Sequence, residues 1–335
     1  MTVAPATVPA AINADQPLHG LLSEEPVPRA ASLLLDIFTA DILPVFLIAT
    51  VGFLLARFAR VDVRTLARVT LHGLAPVLIF HLLITSQISG RAFGRMALLC
   101  LAITACMGLA GRLVAIPLKL DRQTRIAFLL VVMFSNGGNY GLPVALFAFG
   151  REALAFATVY FVTGSVLTYT VGVALAGSGK RTLGQAMAGV SRVPAVYAVI
   201  AAGLVLAAGV TMPAPAMRSI ELLSDATLPI MILVLGMQLE RASMPSRPLA
   251  VAAAATLSLV VSPAIAWMIA NALGLTGPAL QAGMIQASMP TAVVTTVIAL
   301  EFDVEPAFVT SVVIASTAIS PLTLTVIIAW LQHAG

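Results

Sequence analysis

Midway through a long apolar segment the sequence reads Ser135-Asn136-Gly137-Gly138-Asn139-Tyr140-Gly141-Leu142-Pro143. Three glycines, two asparagines and a proline within nine residues oppose a continuous helix. Each glycine costs about 1 kcal/mol relative to alanine, and proline removes an amide donor. The surrounding residues 126–149 are otherwise apolar enough for a membrane helix. In a bilayer, broken backbone is tolerated only where it contacts protein or a water-filled cavity. The stretch therefore predicts a broken membrane helix that belongs to a functional site.

The composition of the whole chain places this break in a membrane protein. Of the 335 residues, 60% are hydrophobic and 10% are charged, whereas soluble domains carry about 25% charged residues. We therefore expect an all-α, polytopic protein of the inner (plasma) membrane, in contact with the lipid bilayer. The net charge of +4 reflects arginine-rich loops and does not indicate a nucleic-acid-binding protein. Cys100 and Cys106 lack metal-ligand spacing and are interpreted as packing residues, so we expect neither a metal nor a cofactor.

Ten apolar segments are predicted to cross the membrane, each long enough to span about 30 Å of hydrocarbon. They follow a Pro- and Ala-rich tail, residues 1–30, which lacks the pattern of a secretory signal and is interpreted as disordered. A loop at residues 177–192 separates two halves, residues 31–176 and 193–335. The predicted spans are residues 37–57, 65–87, 95–117, 126–149, 153–176, 193–211, 216–239, 249–273, 278–300 and 306–331.

The distribution of Lys and Arg predicts the orientation of the chain. With the N-terminus outside, 13 of the 18 basic residues fall in cytoplasmic loops and 5 fall outside. Such an excess is typical of cytoplasmic loops. Both termini are therefore predicted to be non-cytoplasmic, and residues 177–192 are predicted to be a cytoplasmic linker.

An internal repeat relates the two halves. A shift of 153 residues places Pro76 on Pro229 and Ser135 on Ser288. The same shift aligns the second, fourth and fifth spans with the seventh, ninth and tenth. Because five spans are an odd number, the second copy enters the membrane from the opposite side and forms an inverted 5+5 repeat. Such repeats are typical of secondary transporters, in which corresponding broken helices, here the fourth and ninth spans, cross near the midplane.

The second break reads Gln286-Ala287-Ser288-Met289-Pro290-Thr291. Free N–H groups at the ends of the interrupted helices favour anionic groups, and free carbonyl groups favour cations. A carboxylate substrate would be held there by helix dipoles and neutral amides, without a fixed cation. The predicted substrate-binding residues are Ser135, Asn136, Asn139, Tyr140, Gln286, Ser288 and Thr291.

Some of these residues have structural alternatives. Serine and threonine hydroxyls in membrane helices often bond to the backbone of their own helix, which is the alternative for Ser288 and Thr291. Tyr140 can equally be interpreted as a packing residue. The glycines and prolines of the breaks are interpreted as residues that shape the crossing rather than as contacts. These crossover-shaping residues are Gly137, Gly138, Gly141, Pro143 and Pro290.

Three ionisable residues inside predicted spans are candidates for ion coupling. His72 and Asp225 occupy the same position in the repeat. A histidine titrates near neutral pH and a buried aspartate can titrate there too, so the pair suits proton coupling. The alternative is that both lie at the water interface as ordinary terminal residues. His81 lies deeper along its span and is a candidate ligand or relay.

The motifs of both halves resemble those of the auxin efflux carrier family, within the wider bile acid/sodium symporter-like superfamily. Asn136, Gly141 and Pro143 match the signature of its fourth helix. The resemblance covers the chain from residue 37 and implies ten helices in an inverted repeat, export or exchange of small organic anions, and a homodimer. The short linker is similar to that of bacterial members, which are associated with dicarboxylates such as malate or malonate. The other matching motifs are Leu74-Ala75-Pro76-Val77-Leu78-Ile79-Phe80, Leu228-Pro229-Ile230-Met231, Gly236-Met237-Gln238-Leu239 and the second break with Ala292.

The leading hypothesis is a secondary transporter or exporter of small carboxylates, auxin-like or dicarboxylate, that works by alternating access with proton or sodium coupling. One alternative is a sodium-coupled symporter of the bile-acid type, with Gln286 and Glu301 as candidate ligands. Another is a membrane sensor that does not transport. The sequence has no nucleophile elbow, Walker loop or paired catalytic carboxylates, so we do not expect an enzyme.

Overall fold

The computed structural model describes residues 26–86, 88–177, 191, 193–240 and 247–334. Within these ranges the secondary structure is helical, and seven helices are long and apolar enough to cross a membrane. This agrees with the all-α, polytopic class that the composition predicts. The helices, in chain order, are α1 (Ala31–Phe58), α2 (Val63–Thr85), α3 (Gly90–Ala115), α4 (Arg122–Met133), α5 (Gly137–Ala176), α6 (Pro194–Ala207), α7 (Ala214–Leu239), α8 (Pro248–Ala272), α9 (Gly277–Ala287), α10 (Val294–Glu301) and α11 (Pro306–His333).

The ten predicted spans do not appear as ten uninterrupted helices. The fourth span is divided between α4 and the start of α5, because α4 ends at Met133. Gly150, whose φ of 78° and ψ of −170° are not helical, then divides α5 into a first piece that completes the predicted fourth span and a second piece that forms the fifth. A Cβ atom at Gly138 in the first piece would lie 2.7 Å from the ring of Phe161 in the second piece, so the chain folds back at Gly150. In one continuous helix these two residues would be about 35 Å apart. The ninth span is divided into α9 and α10, and the sixth is the 14-residue α6. The interruptions of the fourth and ninth spans lie at the two stretches that the sequence predicts to be broken.

The predicted tail and linker fall largely outside the described residues. Helical turns that lead into α1 begin at Pro26, so residues 26–30 of the predicted tail are helical. Residues 1–25 are not described. Of the predicted linker, residues 177–192, only Gly177 and Ser191 lie within the described residues.

Several of these helices contain a wide turn just before a proline. At four places a wide helical turn, with bonds from residue i to i+5, ends two residues before a proline. Proline has no N–H, and its ring clashes with the carbonyl four residues earlier, so the preceding turn cannot keep regular α-helical bonding. The turns and their prolines are Phe38–Ile42 with Pro44, Thr70–Leu74 with Pro76, Gly137–Gly141 with Pro143, and Leu257–Val261 with Pro263.

Glycines of α1 and α7 allow these two long helices to approach closely. A methyl group at Gly52 would overlap the backbone carbonyl of Leu233, and one at Gly236 would overlap that of Ala49. In a membrane, where lipid is as apolar as a side chain, small residues let two backbones approach and gain dispersion contacts. Further helix pairs in contact are α2 with α6, α2 with α7, α3 with α4, α3 with α8, α8 with α9 and α5 with α9.

Asp121 caps the N-terminus of the short helix α4. Its carboxylate accepts a hydrogen bond from the backbone N–H of Thr124 at 3.0 Å and lies 2.9 Å from the guanidinium of Arg247. Hydrogen bonds from Thr124, with a smaller contribution from Arg247, hold the pKa of Asp121 well below its usual range. The same guanidinium lies 3.7 Å from Glu305, so the cap ties together the segments before α4, α8 and α11.

We expect Asp121→Ala to lower the free energy of unfolding by about 1 kcal/mol, the usual cost of losing an N-cap. Because the pKa is lowered in the folded state, this stabilisation is present above the ordinary aspartate pKa of about 4 and is lost as the pH falls toward the lowered value. Thermal unfolding of wild type and variant in detergent, at pH 7 and near pH 3, measures the difference. Asp36→Ala, at an exposed position early in α1, is the control. An undiminished difference near pH 3 would contradict the assignment.

Candidate functional site

The two predicted breaks lie against each other. The backbone N–H of Asn136 donates to the carbonyl of Pro290 at 2.7 Å, and that of Ala292 donates to the carbonyl of Phe134 at 2.9 Å. These bonds form a short antiparallel bridge between the segment that follows α4 and the segment that follows α9. Backbone groups freed by one break are therefore satisfied by the other, as burial away from water requires.

Side chains add a second set of bonds across the contact. The hydroxyl of Ser135 donates to the carbonyl of Gln286 at 3.1 Å, and that of Thr291 donates to the carbonyl of Val131 at 2.8 Å. The backbone N–H of Thr291 in turn donates to Ser316 on α11, at 3.2 Å. The second break is thus fixed to both α4 and α11.

Gln286 occupies a cleft formed by two glycines of the first break. Its side-chain N–H donates to the carbonyl of Gly137 at 3.2 Å, which also fixes the orientation of the carboxamide. Its Oε1 atom has no hydrogen-bond partner among the described residues. A Cβ atom at Gly137 would overlap this oxygen, and one at Gly141 would lie 2.9 Å from it. The glycine spacing therefore admits the fully buried side chain of Gln286.

The hydroxyls of Tyr140 and Ser288 are engaged with protein. Tyr140 is fully buried, its hydroxyl lies 3.2 Å from Ser320 Oγ, and its ring meets Phe46 edge to face at 5.9 Å. Ser288 donates to the carbonyl of Met284 at 2.6 Å, the bond within its own helix that is the alternative to substrate binding. Pro143 lies in the first turn of the regular part of α5, and Pro290 contributes its carbonyl to the bridge.

A cavity of about 890 Å³ reaches the first break from the end of the molecule that carries Arg64 and Arg68. Four of the predicted binding residues line it, namely Ser135, Asn136, Asn139 and Gln286, together with Gly137 and Gly138. Tyr140, Ser288 and Thr291 do not line it. We call it the crossover cavity.

Asn136, like Gln286, lines this cavity and has a side-chain polar atom without a hydrogen-bond partner among the described residues. Asn136 is 5% exposed, and its Nδ2 atom has no hydrogen-bond partner among the described residues. A buried, unpaired amide costs about 1–3 kcal/mol, so such a group calls for an explanation. It lies beside the start of α5, where the first N–H groups of a helix lack acceptors within the helix and carry partial positive charge.

Backbone N–H groups at both breaks have acceptors within the protein. The N–H groups of Thr291 and Ala292, which precede α10, already donate to Ser316 and to Phe134. At the first break, the N–H groups of Asn136 and Gly137 likewise donate to the carbonyls of Pro290 and Ser135.

A second cavity, of about 750 Å³, lies toward the other end of the molecule. The buried residue His81 lines it and places Nδ1 at 3.0 Å from the hydroxyl of Ser224, with the donor set by the imidazole tautomer. Arg151 and Asp225, both exposed, form an ion pair at 3.7 Å in its wall. We call this cavity the acidic cavity, because Glu152 and Glu221 also line it.

The three coupling candidates are not brought together. His72 is exposed and its Nδ1 lies 3.2 Å from the backbone carbonyl of Arg68. Asp225 pairs with Arg151, and His81 lies in the acidic cavity with Ser224. No group of three or more metal-binding side chains occurs among the described residues.

Sequence reasoning did not identify two serines that brace the second break. Ser262 of α8 donates to the carbonyl of Ala287 at 2.8 Å, and Ser316 of α11 accepts from Thr291. Both are buried hydroxyls within apolar helices. Polar residues at membrane depth are uncommon enough to single out, but their partners depend on which helices are neighbours.

Paired helix breaks beside a cavity are typical of membrane transporters. The chain belongs to the membrane transport protein family, whose sequence pattern matches residues 37–187 and 178–328. This confirms the resemblance to the auxin efflux carriers, and it makes the chain an integral membrane protein of a transporter family rather than of an enzyme family.

Two archaeal relatives are each described as a transporter. An "uncharacterized transporter" of Methanothermobacter thermautotrophicus is 26% identical over 295 residues, which cover 85% of this chain and 96% of the relative. An "uncharacterized transporter" of Methanocaldococcus jannaschii is 26% identical over 208 residues, 61% of this chain and 68% of the relative.

Proposed function

We propose that the chain is a secondary transporter of small organic anions that works by alternating access around the contact of its two helix breaks. The observation that carries this proposal is the buried side chain of Asn136 beside the start of α5, at the end of the crossover cavity, whose Nδ2 atom has no partner among the described residues. A carboxylate there would accept hydrogen bonds from Asn136 and from the first N–H groups of the helix, and it would need no fixed cation.

The proposal includes an inverted repeat of ten membrane-crossing units, in which the broken pairs α4–α5 and α9–α10 cross. Equivalent helices make equivalent contacts, since α1 packs on α7 as α6 packs on α2, and α3 packs on α4 as α8 packs on α9. The hydroxyl of Thr227 donates to the carbonyl of Leu74 at 3.3 Å, and these two residues are 153 positions apart. Equivalent residues that touch are expected at the pseudo-twofold axis of such a repeat.

Within this site we assign substrate contact to Asn136 and Asn139, with Ser135 at the rim. Gln286, Ser288, Thr291 and Tyr140 have hydrogen bonds to protein and are assigned to holding the breaks. The orientation that we propose keeps Arg64 and Arg68 on the cytoplasmic side, because basic residues concentrate there. His81 is the candidate that we retain for proton coupling, since it is buried and still lines a cavity.

Transport assays in proteoliposomes test the proposal directly. We expect the purified protein to catalyse flux of a labelled carboxylate from a panel of mono- and dicarboxylates, with empty liposomes as the control. Imposed pH and sodium gradients distinguish proton coupling from the sodium-coupled alternative. Binding of a carboxylate without any flux would indicate a sensor and would overturn the proposal, as would the absence of both binding and flux across the panel.

A further inference from the structure

The two cavities lie in line along one face of α5. Phe156 lines the acidic cavity, and Tyr160, one turn further along, lines the crossover cavity. At 1.5 Å per residue, these positions are about 6 Å apart along the helix. Helix α7 likewise lines both cavities, with Asp225 on one side and Met231 on the other. The cavities are thus separated by a layer roughly one helical turn thick.

The charges at the two ends of this line differ in sign. The crossover cavity is lined by two arginines, Arg64 and Arg68, and one carboxylate, Glu301. The acidic cavity is lined by three carboxylates and one arginine, and that arginine, Arg151, is paired with Asp225. Neither Arg64 nor Arg68 makes an ion pair with a carboxylate in the part of the chain that the structure describes.

We infer that this difference in charge makes the protein bind its organic anion more tightly from the arginine-lined side than from the acidic side. Arg64 and Arg68 raise the local concentration of anions at the mouth of the crossover cavity, since a charged cleft with low-dielectric walls focuses the field. Glu152 and Glu221 repel an anion that approaches the opposite mouth. The two mouths therefore act as a capture side and a release side. The inference rests on the proposed function and adds the residues that set affinity on each side.

The test compares the KM for uptake in inverted and in right-side-out membrane vesicles from the same cells. The double variant Arg64→Gln/Arg68→Gln is expected to raise KM roughly threefold to tenfold on the arginine side at low ionic strength, and to change it little on the other. Glu152→Gln/Glu221→Gln is expected to lower KM on the acidic side by a similar factor. Both effects should shrink near 1 M salt, where the Debye length is about 3 Å.

Matched controls are Arg122→Gln and Asp36→Asn, which change exposed charges that do not line either cavity. Equal changes in KM on both sides, or changes that persist at high salt, would overturn the inference while leaving transport itself established. An absence of wild-type flux would instead remove the proposed function and the inference with it.

Discussion

Asn136→Ala is expected to lower organic-anion flux strongly and to leave the fold intact. The substitution keeps the backbone bonds of this position, in which the N–H donates to Pro290 and the carbonyl accepts from Gly141. It removes a side chain whose Nδ2 atom has no partner among the described residues. Loss of one hydrogen bond to a charged group costs about 1.5–3 kcal/mol. Affinity for the anion should therefore fall roughly tenfold to a hundredfold, and flux at substrate concentrations below KM should fall by the same factor.

The thermal stability of the same variant separates a binding role from a structural one. Removal of a buried amide without a partner should leave the unfolding temperature unchanged or slightly higher, because the folded state no longer carries its desolvation cost. Asn271→Ala, at an exposed position of α8, is the control for loss of an asparagine elsewhere. Asn136→Asp is a second test, and it should also weaken anion binding, because a carboxylate at this position should repel the anion. Near-normal flux in Asn136→Ala would contradict the assignment of Asn136 to substrate binding.

Gly137→Ala is expected to destabilise the protein and to remove transport, and Gln286→Ala is expected to restore part of the stability. The added methyl group would overlap Oε1 of Gln286, which is fully buried and held by its bond to the carbonyl of Gly137. Overpacking of this kind costs about 1–3 kcal/mol. In the double variant the methyl group has room, so the two free-energy changes should not add.

Thermal unfolding of the two single variants and the double variant measures this coupling. Gly94→Ala, in α3, is the matched control, because a methyl group there would meet no neighbouring described residue within 4 Å and alanine favours a helix. The control should be as stable as wild type or slightly more stable. If the stability losses of Gly137→Ala and Gln286→Ala simply add in the double variant, Gly137 is not needed to make room for the side chain of Gln286.

The sequence anticipated the features that depend on local chemistry. Composition predicts a membrane protein, and the cluster of Asn, Gly and Pro at residues 135–143 predicts a break, because backbone propensity and loss of an N–H act within a turn or two. The repeat further predicts that the second break corresponds to the first, and the two are joined by the backbone bonds of Asn136 and Ala292. The predicted boundary between the fourth and fifth spans also lies at Gly150, where the backbone is not helical.

Tertiary structure alone decided what each polar side chain of the breaks does. Gln286 and Gly137 are 149 residues apart, and their contact depends on how α5 and α9 pack. The hydroxyls of Ser288 and Thr291 look equivalent in the sequence, yet one bonds within its own helix and the other reaches Val131 of α4. Local backbone propensity determines where the helices are interrupted. The neighbouring helices decide which of the freed groups are paired, because in a bilayer protein supplies the partners that water supplies elsewhere. Among the described residues, Nδ2 of Asn136 has no such partner.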